Sequence, residues 1–145
     1  MRVPLEFDRH KTRLSVTVSV RFTGRPPIPV MLIVDTGSPV TFVDEYNSSK
    51  VRVFAKNLPF DHDALLGGTK IAVHNAGKAV INFRTSEDEL LPVEFSSMKI
   101  ARTEWTRKEA VYSSTSVLGL DFFLENKALL YVNPYKGVAY MDVPG

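Results

Sequence analysis

An apolar segment that runs directly into an acidic turn constrains this chain more than any other feature. Val30–Val34 is entirely apolar and rich in β-branched side chains, and it is followed by Asp35-Thr36-Gly37-Ser38. Such a short run is typical of a strand buried on both faces. Gly37 permits a tight turn that a side chain would obstruct. The pattern therefore predicts a carboxylate, Asp35, at the tip of a rigid strand, an arrangement suited to acid–base chemistry.

Most of the remaining sequence consists of short segments typical of β-strands. Leu14–Phe22 alternates apolar and polar residues, which predicts a half-buried strand. The turn-forming residues Asn75–Gly77 predict a break between two strands, and Asn133–Gly137 predicts the turn of a hairpin. Further strands are predicted at Val40–Val43, Lys70–His74, Lys78–Arg84, Leu90–Phe95, Met98–Arg102, Ala128–Val132 and Val138–Met141.

Helical signals are few. Leu120–Asn126 predicts a short helix, whereas Lys50–Leu58 is compatible with either a helix or a strand. Many short strands, frequent turns and little helix describe an all-β barrel or sandwich. We therefore expect a single domain over residues 1–145, with a closed barrel or sandwich fold and one short helix near the C-terminus.

Composition and charge argue against several classes of function. The 145 residues are 44% hydrophobic and 23% charged, with a net charge of +2 and no dense cluster of Lys or Arg, so we expect no nucleic-acid partner. No apolar run approaches the roughly 20 residues that a membrane span needs. The N-terminal segment mixes charge and proline with its apolar residues, unlike a signal peptide, so we expect no membrane partner.

The cysteine and histidine content argues against metal sites and redox chemistry. The sequence contains no cysteine, which excludes disulfides, thiolate catalysis and cysteine metal sites and is consistent with a reducing, cytoplasmic location. His10, His62 and His74 do not have the spacing of a metal site. We therefore expect neither a metal ion nor an organic cofactor.

Three segments resemble the retropepsin-like aspartic proteases, the family of the retroviral-type proteases. Asp35–Ser38 is similar to the active-site signature of that family. Ala64–Thr69 is similar to the tip of the flap, the hairpin that covers the substrate, and Val117–Leu124 is similar to the segment that passes behind the catalytic loop. Pro39 resembles cellular rather than viral members. The chain is longer than a compact viral protease, and we expect the surplus in Thr85–Ser116.

The resemblance implies the closed acid-protease barrel and a role for each matching residue. Asp35 is expected to be the catalytic acid and base. Thr36 is expected to form a hydrogen bond across a dimer, Gly37 to direct its N–H at the carboxylates, and Ser38 to donate to an outer carboxylate oxygen. The other matches are Leu118 and Gly119, expected to pack behind this loop, Leu66, Gly67 and Gly68, expected in the flap, and Phe60, Leu65, Leu66 and Ile71, candidates to line apolar subsites.

The resemblance also implies two chains. Aspartic proteolysis uses two carboxylates that share one proton, because like charges roughly 3 Å apart cannot both be ionised. The chain contains one Asp-Thr-Gly, and Asp44, Asp61 and Asp121 lack its setting between a strand and a glycine turn. A homodimer with two copies of Asp35 at its two-fold axis supplies the second carboxylate. The expected function is therefore an aspartic endopeptidase that acts on a peptide or protein.

Two alternatives stay open on the sequence. A retropepsin-like binding or dimerisation module without activity would keep the same fold, although the complete Asp35–Ser38 signature argues against it. A nucleotide-binding fragment could also place Asp-x-Gly-Ser after a strand. The chain is too short for such folds and has no Walker motif, so this second alternative is the weaker one.

Overall fold

The computed structural model of the chain describes residues 1–66, 69–102 and 115–144, most of which lie in β-strands. The strands are β1 (Arg2–Pro4), β2 (Glu6–Phe7), β3 (Leu14–Phe22), β4 (Ile28–Val34), β5 (Phe42–Asp44), β6 (Phe60–Leu66), β7 (Thr69–Arg84), β8 (Leu90–Arg102), β9 (Ser116–Leu118), β10 (Leu129–Asn133) and β11 (Val138–Asp142). The helices within these ranges are α1 (Glu45–Ser48) and α2 (Leu120–Asn126), with 3₁₀ turns at Ser49–Val51 and Ala55–Asn57.

Six of these strands close into a barrel. Neighbouring strands pair in the order β3, β4, β9, β5, β8 and β7, and β7 pairs again with β3, which completes the ring. Outside the ring, β2 adds to β3 and β6 adds to β7. A separate three-stranded sheet has the order β1, β11, β10. The prediction of an all-β closed barrel is therefore confirmed.

The strongest local patterns correspond to observed elements. The alternating segment Leu14–Phe22 is β3, and the predicted helix Leu120–Asn126 is α2. The C-terminal hairpin is formed by β10 and β11, with ends within two residues of those predicted. The strand predicted at Val40–Val43 begins two residues later, as β5. These elements carry their own periodicity or turn residues, which is why the sequence located them.

The helical content was underestimated. The sequence predicted one short helix, but α1 also forms between β5 and the 3₁₀ turns. The side chain of Asp44 caps α1 by accepting the N–H of Asn47 at 3.0 Å. In Lys50–Leu58, which was compatible with helix or strand, the structure has neither beyond short 3₁₀ turns.

The prediction that the strand before Asp35 is buried on both faces is wrong. Leu32 is fully buried, but Met31, on the opposite face of β4, is 57% exposed. In a closed barrel, each strand directs alternate side chains towards the interior and the exterior. The inward-facing side chains of β4 are Ile28, Val30 and Leu32, so an uninterrupted apolar run here reflects a barrel strand with only one covered face.

The predicted turn at Asn75–Gly77 is also wrong. β7 continues through it as one strand of 16 residues, and its partner β8 is likewise one strand where two were predicted. The pairing between them shifts register on both sides of Gly77, whose φ is +75°. Gly77 therefore forms a β-bulge: it supplies the left-handed backbone conformation, while the ladder resumes beyond it and retains the hydrogen bonds that a turn would lose.

The interior contains two apolar clusters. The larger one fills the barrel and extends beneath α2, where Phe122 is fully buried against the rings of Phe83, Phe95 and Phe123. The smaller one consists of Phe42, Ile71, Val73, Ala101 and Val117. Because α2 is fixed to the main core by its aromatic side chains, the segment before it, which contains Gly119, lies in a rigid position behind β4.

Candidate active site

Asp35 lies immediately beyond the end of β4. Val34 pairs with Leu118 in the parallel ladder between β4 and β9, and the N–H of Asp35 donates to the Leu118 carbonyl at 3.0 Å. Asp35, Thr36 and Gly37 are all exposed in the single chain. The carboxylate of Asp35 is therefore attached to the barrel through its own backbone and is open to solvent on the outside.

The turn after Asp35 holds the carboxylate in one orientation. The N–H of Gly37 donates to Oδ1 of Asp35 at 2.9 Å, which is the direction that the resemblance implies. A Cβ on Gly37 would lie 3.1 Å from the same oxygen, so a larger residue here would crowd the carboxylate. The N–H of Ser38 donates to the backbone carbonyl of Asp35 at 3.1 Å and closes the turn.

The side chain of Ser38 does not have the role that the resemblance implied. Its hydroxyl donates to the carbonyl of Val40 at 2.7 Å, so its single proton is used within the loop rather than on a carboxylate of Asp35. Ser38 therefore supports the loop by bracing its second half. The cross-dimer hydrogen bond expected of Thr36 stays a prediction, because it requires a second chain.

Gly119 lies directly behind this loop. A Cβ built on Gly119 would be 2.3 Å from the carbonyl oxygen of Val40 and 2.8 Å from that of Ser38. The next residue, Leu120, donates its N–H to the Ser38 carbonyl at 2.8 Å. The loop and the segment from Leu118 to Leu120 are thus in backbone contact, which only glycine at position 119 permits.

A second carboxylate, which the sequence reasoning dismissed, lies at the far end of the loop. Asp121, the second residue of α2, accepts the hydroxyl of Thr41 at 2.6 Å and the backbone N–H of Thr41 at 3.1 Å. The Thr41 oxygen in turn accepts the N–H of Gly119 at 2.8 Å. Thr41 is fully buried. A threonine six residues after Asp35 and an aspartate two residues after Gly119 were the only sequence signals for this contact.

Comparison with solved structures identifies the architecture. The chain is similar to a retropepsin-like aspartic protease from Rickettsia conorii, with a TM-score of 0.59 at 14% identity over 97% of this chain and 89% of that one. The chain has the retropepsin-like fold. It is also similar to the EIAV protease in complex with the inhibitor HBY-793, with a TM-score of 0.49 at 12% identity over 86% of this chain and 98% of that one. No protein-family model and no curated protein matches the sequence.

The hairpin of β6 and β7 contains the segment Ala64–Thr69, which the resemblance places in the flap, and that assignment stays a prediction. Among the described strands, β6 pairs only with β7, and Leu66, the last residue of β6, pairs with Thr69. Gly67 and Gly68, which the sequence assigned to the flap, lie outside the described residues, as does Trp105. The described part of Thr85–Ser116 contains the whole of β8 and the first residue of β9.

The predicted subsite residues whose side chains are described differ in exposure, and their role stays a prediction. Ile71 belongs to the smaller apolar cluster with Phe42 and Val117, whereas Phe60 and Leu65 are 59% and 76% exposed. Phe42 and Val117, which pack with Ile71, are core residues of two different strands. They meet only because β5 pairs with β9 through these two residues.

A charged group lies at the base of the hairpin. Oδ2 of Asp61 is 2.6 Å from Nδ1 of His62 and 3.8 Å from Nζ of Lys99, whose side chain is almost completely buried. The hydrogen bond from His62 holds the pKa of Asp61 below its ordinary value of 3.8, burial opposes this, and the positive charges of Lys99 and His62 add to the lowering. This group connects the edge strand β6 to β8 across β7.

Two further findings concern partners of the described residues. Across residues 1–66, 69–102 and 115–144, no three His, Asp or Glu side chains meet in a way that could hold a metal ion. None of the helices in the described part of the chain has the length and apolar character needed to cross a membrane.

Proposed function

We propose that this protein is an aspartic endopeptidase, in which water is activated between two copies of Asp35 contributed by a homodimer. The observation that carries the proposal is the setting of Asp35: an exposed carboxylate at the end of a barrel strand, with Oδ1 held by the N–H of Gly37. A carboxylate fixed in this way is pre-organised for proton transfer and does not have to be ordered during the reaction.

The need for a dimer follows from the chemistry of the dyad. One ionised carboxylate removes a proton from water while the other, protonated, polarises the peptide carbonyl, so two carboxyl groups are required. Asp35, Thr36 and Gly37 are exposed together in the single chain, which leaves them free to meet their symmetry copies. An isologous two-fold interface places identical residues opposite one another. The proposed substrate class is a peptide or protein, as for the retropepsin-like aspartic protease that shares the fold.

The first experiment tests the chemistry. The wild-type protein is incubated with a peptide library, with and without a statine-type transition-state mimic and with a chelator. We expect cleavage that the mimic inhibits and the chelator does not. Asp35→Asn, which removes the titratable group while keeping the size of the side chain, should abolish cleavage. Asp88→Asn is the matched control, because Asp88 lies 83% exposed in the turn between β7 and β8, and it should cleave like wild type.

The second experiment tests the assembly. Sedimentation at micromolar concentration should show a dimer, and Asp35→Asn should sediment as the wild type does. A strictly monomeric protein that still cleaves peptides would contradict the shared dyad. A folded dimer that cleaves nothing in the library would instead support the alternative, an inactive binding or dimerisation module.

A further inference from the structure

We infer that Asp121 is a positioning residue for Asp35, acting through Thr41 and Gly119. This inference rests on the proposed function, since it assigns Asp121 to the same site. Asp121 is half-buried and hydrogen-bonded to Thr41, whereas Asp35 is exposed at the other end of the loop. Its effect is therefore on where the loop holds Asp35 and not on the proton transfer itself.

The loop from Asp35 to Thr41 is attached to the rest of the chain at both ends. At the first end, the N–H of Asp35 donates to the carbonyl of Leu118. At the other end, Thr41 is attached to Asp121 by both its backbone N–H and its hydroxyl. Between these ends, Leu120 donates to the Ser38 carbonyl at 2.8 Å. Residues 118–121 thus form one continuous support for the loop that carries Asp35.

Asp121 joins the loop to the start of α2, because its carboxylate accepts hydrogen bonds from both Thr41 and Phe122. Its Oδ1 accepts from the Thr41 hydroxyl at 2.6 Å and from the N–H of Phe122 at 2.8 Å, while Oδ2 accepts from the Thr41 N–H at 3.1 Å. The Thr41 hydroxyl donates its hydrogen bond to Asp121. The lone pairs of the Thr41 oxygen therefore accept the N–H of Gly119 at 2.8 Å. The carboxylate therefore fixes the orientation of Thr41, and Thr41 fixes Gly119.

The geometry requires a carboxylate at position 121. Donors approach both oxygens of Asp121, and a carboxylate accepts at both. An asparagine has one acceptor oxygen, so its NH₂ group would face either the Thr41 N–H or the Thr41 hydroxyl. Asp121→Asn should therefore loosen the support partly, and Asp121→Ala should remove it completely, in both cases without touching Asp35.

The test combines kinetics with a measurement that needs no activity. We expect kcat to fall about 10²-fold in Asp121→Ala, since a displacement of about 1 Å costs roughly that factor. In Asp121→Asn, which keeps part of the support, kcat should fall about 10-fold, and in both variants KM should stay within about two-fold. Thr41→Val should resemble Asp121→Ala, the double variant should be no slower than the worse single variant, and Thr41→Ser, which keeps the hydroxyl, should retain wild-type kcat. Additive losses, or unchanged kcat in an active enzyme, would overturn the inference.

The activity-independent measurement is amide hydrogen exchange of Asp35 and Gly119 by NMR. Both should exchange at least about 10-fold faster in Asp121→Ala than in wild type, because opening of the loop exposes them. Glu125→Ala is the matched control. Glu125 is also on α2 and accepts the backbone N–H of Ser96, in β8, at 3.0 Å, but it makes no hydrogen bond to the loop. It should leave kcat and both exchange rates unchanged.

The outcomes for the two proposals are separable. If the wild-type protein cleaves nothing, the proposed function fails, and the exchange rates alone decide whether Asp121 positions the loop. If wild type cleaves peptides and Asp35→Asn does not, the proposed function stands whatever Asp121 does. Exchange in Asp121→Ala that is as slow as in wild type, or faster to the same extent in Glu125→Ala, overturns the positioning role in either case.

Discussion

Replacing Gly119 with alanine tests the backbone contact on which the candidate site depends. The added Cβ would lie 2.3 Å from the carbonyl oxygen of Val40, 2.6 Å from its carbonyl carbon and 2.8 Å from the carbonyl oxygen of Ser38. All of these are backbone atoms, so no flexible side chain can move aside. The shortest contact has to open to at least 3.0 Å, which requires the loop and the segment around Gly119 to separate.

The size of the effect follows from that displacement. Inserting a group of this size into a closely packed region costs about 1–3 kcal/mol of unfolding free energy. At about 4 °C per kcal/mol for a domain of this length, the midpoint of thermal unfolding should fall by about 4–12 °C. The loop also carries Asp35, and a displacement that approaches 1 Å should lower kcat about 10²-fold. Calorimetry and peptide cleavage measure the two effects.

Gly24→Ala is the control that separates stability from activity. Gly24 has a φ of +75°, and no atom lies within 4 Å of a Cβ built on it. Alanine there would be strained by its backbone conformation but would clash with no other atom. The left-handed conformation costs about 1–2 kcal/mol, similar to the lower part of the range expected for Gly119→Ala. Gly24→Ala should therefore be destabilised but fully active. If Gly119→Ala is as stable and active as wild type, or if Gly24→Ala loses activity equally, the reasoning from the backbone contact is refuted.

The remaining predictions concern the core and the base of the hairpin. Phe122→Ala should lower the unfolding free energy by about 3–5 kcal/mol, because Phe122 is fully buried among aromatic rings. Leu124→Ala, on the same helix but 71% exposed, should lower it little, and urea titration compares the two variants. The lowered pKa of Asp61 means that its stabilising contribution is present above about pH 4 and is lost as the pH falls through its folded pKa, below 3.8. His62→Gln should raise the pKa of Asp61 towards 3.8, as followed by NMR titration of its carboxyl carbon, and an unchanged pKa would show that the hydrogen bond from His62 is not the cause.

Several features of this protein were determined by the sequence alone, because their signals are local. The alternation in Leu14–Phe22 and the apolar run before Asp35 each encode one strand, whatever that strand pairs with. The segment Leu120–Asn126 and the turn at Asn133–Gly137 likewise act over a few residues. Asp35 could be selected as the candidate catalytic residue because its glycine turn adjoins it in the chain.

Other features were decided only by the tertiary structure. Asn75–Gly77 has the composition of a turn, but β7 pairs with β8 both before and after it, so it forms a bulge. The hydrogen bonds of the ladder on both sides outweigh the local preference for a turn. Met31 is exposed because closure of the barrel gives β4 one interior face. Thr41 and Asp121 are 80 residues apart and meet because β9 inserts between β4 and β5 and brings the start of α2 behind the loop. A hydrogen bond between such distant residues leaves no periodic or local signal in the sequence, so only the folded chain reveals that Asp121 contacts the loop that carries Asp35.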